Sequence, residues 1–195
     1  ELLSLAASEN YRRVSQLNGV TGTALVDQLD ESTDIQRGPD NFGERGANVT
    51  AAVLAATPSI FSVQGHELVW GRTFDEGHLE RNDKVAVLSE SVMRQLALPY
   101  SPGVTVYIHD EPYTVIGVVR ENPSLTLSYG SVYLPLGAKP GADAEEAQPA
   151  AGGGAAAAQT GKRSTQIVVS TVAGAANQIA EEAPYALSPE RPALY

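Results

Sequence analysis

The sequence predicts an α+β domain, and three observations carry that expectation. Apolar residues recur at helical spacing in some segments and alternate by two in others. These segments interleave irregularly, and a hairpin stands in the middle, which favours α+β over a doubly wound parallel sheet. With 195 residues, 43% of them hydrophobic, the chain has the length and apolar content to bury a real core.

The elements follow in order. Leu3, Ala7, Tyr11, Val14 and Leu17 form one apolar stripe, predicting a helix over 2–17 that Asn18-Gly19 ends. Val20 to Val26 reads as a strand, and the polar stretch from Asp27 to Gly46 as a loop. Asn48 to Ala55 alternates as a strand. Thr57 and Pro58 then suit the cap and first position of a short helix whose buried side is Ile60, Phe61 and Val63. Leu68-Val69-Trp70-Gly71 is extended, and Asp75 to Lys84 is expected to be a charged loop.

The clearest β–α unit runs from Lys84 to Leu96. A buried strand meets Ser89 as the expected cap, Glu90 occupies the first helical turn, and Val92, Met93 and Leu96 face inward. Val104 to Ile108 and Tyr113 to Val119 form a hairpin turned by 109–112. Ser131 to Pro135 is a further strand. Residues 138–164 are rich in Ala and Gly and lack large apolar side chains, so they are expected to be a flexible linker. Gln166 to Thr171 predicts a strand and Ala175 to Ala183 a helix, which Pro184 ends or kinks.

Composition removes several function classes. A formal charge of −10 repels phosphate backbones, so no nucleic-acid partner is expected. The absence of cysteine excludes disulfides, thiol nucleophiles and Cys-ligated metals. No run of about 18 apolar residues is present to span a bilayer. The opening Glu1 to Ala7 lacks a basic flank, so it is not read as a signal peptide. Both ends read as cut from something longer.

The chemical motifs are weak. Around Gly161-Lys162-Arg163, a phosphate loop would need a glycine at Ala156 and Ser or Thr at Arg163. His66, His78 and His109 are expected to be surface polar residues, because His78-x-Glu80 and His109-Asp110-Glu111 lie in separate loops. Ser89 lacks the glycines of a nucleophile elbow. Glu145-Glu146 and Glu181-Glu182 show no fixed separation across a cleft. Asn48-Val49-Thr50 is a sequon, relevant only if a eukaryotic secretory pathway made the chain. Phe61, Trp70, Phe74, Tyr107, Tyr113 and Tyr133 read as core packing rather than a ligand cage. Hence no catalytic residue, cofactor or metal is expected, and contact residues stay unassigned.

An ordered series of segments does resemble a known family. Residues 57–74, Thr57 to Phe74, resemble the pattern "yFsvlGipLl.GRtF". Lys84 to Leu96 is similar to "vaVLsesvarrLf", Tyr113 to Val119 to "ytVvGVv", and Ser131 to Leu136 to "vyvPl". Ile167 to Thr171 and Leu187 to Pro192 resemble the return stretch. Together these resemble the MacB-like periplasmic core domain of MacB/FtsX-type ABC transporter permeases. Tyr100 to Val106 departs from the pattern "dPvGk.i.i" in lacking the lysine.

The resemblance implies a two-lobed fold. Residues 1–56 and 165–195 would form a discontinuous porter-like lobe near the membrane, with 57–137 inserted as a small α+β lobe. It implies a non-catalytic extracytoplasmic domain, periplasmic or extracellular, coupling ATP-driven helix motion to substrate export or to an extracytoplasmic partner. Its partners would be its own transmembrane helices, a cytoplasmic ABC ATPase and a second permease. Two alternatives compete with this: a free-standing secreted adaptor for a cell-envelope ligand, and a hydrolase using a carboxylate or serine site. Membrane spans in the surrounding reading frame favour the first reading, ligand affinity in a soluble full-length protein the second, and activity lost with the three histidines the third.

Overall fold

Among the described residues, eight strands and three short helices account for most of the backbone. The computed structural model describes residues 13–38, 48–122, 130–138, 140, 164–172, 174–176 and 178–180, with the side chains of 30–32 and 164 left aside. The strands are β1 (Val20–Gln36), β2 (Asn48–Ala56), β3 (Glu67–Gly71), β4 (Val85–Ser89), β5 (Thr105–Ile108), β6 (Glu111–Arg120), β7 (Ser131–Pro135) and β8 (Ser164–Thr171). The helices are α1 (Ile60–Val63), α2 (Glu76–Glu80) and α3 (Glu90–Gln95). This is the expected mixture of α and β. Residues 2–12 of the helix expected over 2–17, and residues 139 and 141–163 of the linker expected over 138–164, lie outside the described residues.

All eight strands belong to one sheet, in the order β2-β7-β4-β6-β5-β1-β8, with β3 added to β6. Because β1 also pairs with β2, the six strands from β2 to β1 close into a ring. Two of its pairings, β2–β7 and β4–β6, are parallel. One apolar cluster draws side chains from every strand of the ring: Ile35, Val53, Val132, Leu88, Val115 and Ile108 are examples. That is what the inner face of a closed sheet supplies. Val92, Met93 and Leu96, on and just after α3, join this cluster at 0% exposure. A second cluster forms on the opposite face, where Ile60 and Phe61 of α1 meet Ala24, Val26, Val119 and Tyr133.

Alternation explains the two faces. Ala86 and Leu88 belong to the first cluster while Val85 and Val87 belong to the second. In β6 the parity changes after Val115, because the pairing with β4 shifts register between Val115 and Gly117. There β3 leaves the sheet, with the Arg72 N–H donating to the Ile116 carbonyl at 2.9 Å. Gly71 and Gly117 are paired across this crossing.

Four local expectations need correction. The segment from Asp27 was expected to be loop, yet β1 runs to Gln36. Residues 26–28 are hydrogen-bonded to β2 on one side and β8 on the other, and Ile35 and Gln36 pair with both β2 and β5. Pairing on both edges satisfies the backbone and outweighs the polar composition.

The charged loop at 75–84 contains helix α2. The Asp75 carboxylate accepts from the His78 N–H, and the His78 ring reaches back to the Asp75 N–H, a reciprocal cap. Asp75→Ala is expected to lower the urea midpoint by removing this cap.

Thr57 and Ser89 were both expected to cap with their hydroxyls, and neither does. Thr57 Oγ1 accepts from the Leu25 N–H at 3.0 Å, and Ser89 Oγ from the Ser131 N–H at 3.1 Å. Both hydroxyls tie neighbouring strands instead. The hairpin turn is also tighter than expected, with His109 and Asp110 at φ 51 and 63, the positive pair of a two-residue turn.

Candidate functional site

The entry and exit of the sheet lie side by side. Val20 at the start of β1 pairs with Thr171 at the end of β8, and the Val172 N–H donates to the Gly19 carbonyl at 2.9 Å. A side chain on Gly19 would stand 2.9 Å from the Ala175 Cβ and 3.5 Å from Ile179. Gly19 has φ +94, so both its backbone and its packing call for glycine. Val14, before Gly19, and Ile179, after Ala175, are buried. Thr21 and Ser170 continue the contact outward, their hydroxyls 2.8 Å apart. Segments about 150 residues apart in sequence thus leave the body as neighbours.

A second cluster surrounds His66, in the turn between α1 and β3. Its Nδ1 lies 3.3 Å from the Arg120 carbonyl at the end of β6. Its Nε2 lies 3.1 Å from the Tyr133 hydroxyl of β7 and 2.8 Å from Gln64 Oε1. The Phe61 and Tyr133 rings stand T-shaped to the imidazole, at 6.1 and 5.3 Å between centroids. Burial holds His66 below the ordinary histidine range, and the bond to the Arg120 carbonyl only partly opposes it. Burial likewise pushes the Tyr133 phenol well up, with the Glu121 charge adding to it and a Ser131 bond opposing it. The Arg120 guanidinium reaches Glu67 at 2.5 Å and lies 3.9 Å from Glu90.

The histidines were expected on the surface. His78 is instead 5% exposed, sealed by the α2 cap, and its ring holds the Asp75 carboxyl below the usual range. His66 is part-buried among aromatic rings. The placement of His66 could not be seen in spacing, because it depends on Arg120 of β6 and Tyr133 of β7.

Other candidates are dispersed. Glu111 is buried, its Oε2 accepting from the Tyr113 hydroxyl at 3.2 Å and lying 3.4 Å from Lys84 Nζ. Ser89 and Ser91 hydroxyls are 3.3 Å apart, and Ser91 donates to Glu121. Among the described residues no three His, Asp or Glu side chains gather as a metal would require. Of the aromatic residues, Phe61, Phe74, Tyr113 and Tyr133 are buried as expected. Trp70 is partly buried, and its ring meets the exposed Tyr100 edge-on at 6.5 Å. Residues 145–146, 152–163 and 181–182 lie outside the described residues, as do any sites they hold. No described helix is long and apolar enough to cross a membrane.

The model of the MacB-like periplasmic core domain matches residues 6–183, nearly the whole chain. The chain belongs to that family. A macrolide export ATP-binding/permease protein MacB from Shewanella sp. (strain W3-18-1) is 32% identical over 78 residues, 40% of this chain and 12% of that protein. Solved structures agree in fold. The periplasmic region of MacB from Actinobacillus actinomycetemcomitans superposes with TM-score 0.56 at 20% identity, covering 89% of this chain and 68% of that one. The extracellular domain of the noncanonic ABC-type transporter YknZ from Gram-positive bacteria gives 0.58 at 19%, covering 93% and 81%. A domain of a permease protein from Porphyromonas gingivalis gives 0.56 at 17%, covering 90% and 67%. The matched family is a periplasmic core domain, and the solved neighbours include periplasmic or extracellular regions of ABC transporters.

Proposed function

We propose that this MacB-like domain is a non-catalytic relay. It carries ATP-driven motion of transmembrane helices at its two ends to an extracytoplasmic body that serves export or a cell-envelope partner. The observation that supports the relay is the junction at Gly19, Val172 and Ala175, which makes the two exits neighbours. An ATPase across the membrane can act on such a body only through its exits, and a ligand or motor shifts only states that it distinguishes. A ring of strands filled by one apolar cluster supplies the stiffness to move as a unit, since packed cores do not deform continuously.

We divide the chain accordingly. Residues 1–56 and 165–195 form the porter-like part near the membrane, supported by the β1–β8 pairing. Residues 57–137 form the inserted part, joined to it through the β2–β7 and β1–β5 pairings, and 138–164 serve as linker. The partners are the permease's own membrane helices, a cytoplasmic ABC ATPase and a second permease.

Flexible Gly/Ser inserts before residue 13 and after residue 180 of the full-length permease test the relay, since such segments transmit little force. Basal ATPase activity is expected to persist while ATP-dependent export falls by about tenfold or more, a loss equivalent to ~1.4 kcal/mol of coupling. Export unchanged by both inserts would refute the relay.

A further inference from the structure

We propose that the ring of strands binds water inside its hairpin end, at a site formed by the Glu111 carboxylate and the Thr33 hydroxyl. The site lies within the core and does not depend on the relay. Among the described residues, three side-chain atoms are enclosed by protein and meet no hydrogen-bond partner: Thr33 Oγ1, Gln36 Oε1 and Glu111 Oε1. Two of the three face the interior of the ring from the same end.

Pairing and alternation place them. Glu111 pairs with Ile108 across the β5–β6 hairpin, and Ile108 pairs with Ile35 of β1. Paired residues project to one face of a sheet, and Ile35 and Ile108 belong to the inner apolar cluster. Glu111 therefore projects inward beside them. Along β6 the buried Glu111, Tyr113 and Val115 alternate with the exposed Pro112 and Thr114, as one inward face requires. Thr33 stands two residues before Ile35 with no register shift between them, and it pairs with Ala51 of the same cluster. It too projects inward. Gln36 follows Ile35 directly and falls on the outer face. The two-residue turn at His109 and Asp110 marks this end of the ring.

Burial makes the unmet oxygens costly. Glu111 is 8% exposed and Thr33 4%. Glu111 Oε2 accepts from the Tyr113 hydroxyl at 3.2 Å and lies 3.4 Å from Lys84 Nζ, while Oε1 of the same carboxylate has no donor among the described residues. An enclosed carboxylate oxygen tolerates that less well than a neutral one. The ligand must therefore donate a hydrogen bond. It must be neutral, because Lys84 already balances the Glu111 charge. It must also be small, since the site lies at the edge of one packed apolar cluster. Water meets all three conditions, and buried water typically serves polar groups that the fold leaves unpaired. It donates to Glu111 Oε1, and the Thr33 hydroxyl, which both donates and accepts, supplies a second anchor.

NMR on the 195-residue chain tests the site. Long-lived internal water is expected to give direct NOEs to the Ile108 methyl groups, because Ile108 is the residue paired with Glu111. Thr33→Val keeps the shape of the side chain and removes its hydroxyl. Bound water then loses a partner, so the NOEs are expected to weaken and the urea midpoint to fall below that of Thr114→Val. Thr114 is exposed on β6, and the same exchange there accounts for the strand preference of valine. Were the Thr33 hydroxyl simply unpaired, its removal would instead raise the midpoint. The NOEs of the unaltered chain decide the question if Thr33→Val folds poorly. No water NOE at Ile108 in the wild type, or a Thr33→Val midpoint at or above that of Thr114→Val, would overturn the site.

Discussion

Gly117→Ala is expected to destabilise the chain by about 3 kcal/mol or more, at the upper end of overpacking effects. A Cβ at Gly117 would overlap the Arg72 carbonyl, and one at Gly71 the Ile116 carbonyl. Both obstacles are backbone atoms, which cannot swing aside as a side chain can. Gly71 also has φ +74, a conformation costly to any residue with a Cβ. The cause is the register shift at Ile116, which brings β3 over β6 as it leaves the sheet. Gly38→Ala is the matched control. Among the described residues nothing lies within 4 Å of its added Cβ, so its urea midpoint is expected to stay near the parent's.

Ile35→Ala is expected to cost about 2–5 kcal/mol, the range for truncating a fully buried isoleucine. Ile35 is 0% exposed and pairs with Val49 of β2 and Ile108 of β5, so it stands where the ring closes. The cavity would open in the cluster shared by all six strands. Leu68→Ala provides the comparison, since Leu68 is 45% exposed and its truncation is expected to stay within about 0.5 kcal/mol. Equal midpoints for the two variants would mean that the segment near Ile35 is not part of the core.

Local patterns revealed most of the elements between residues 48 and 135. The alternation in Thr105 to Ile108 and the β–α step at Ser89 correspond to β5, β4 and α3. Long-range pairing was what the pattern concealed. Residues 27–36 carry Asp27, Asp30, Glu31 and Asp34 with a single large apolar residue after Leu29, Ile35. They form strand only because β2, β8 and β5 satisfy their backbone. The hydroxyls of Thr57 and Ser89 matched caps in spacing, yet partners 32 and 42 residues away claimed them. His66 was hidden for the same reason, since Tyr133 reaches it from 67 residues away. The family resemblance was legible because it rests on ordered short motifs, which need no knowledge of pairing.

Cysteines at Thr21→Cys and Ser170→Cys in the full-length permease test the relay most directly. The parent hydroxyls are 2.8 Å apart, so the pair is placed for a disulfide. The predicted result is ready cross-linking in every nucleotide state, with export as fast as in the reduced protein. A bridge that fails to form in one nucleotide state, or that halts export until reduced, would show that the two exits part during turnover and contradict a body moved as one piece.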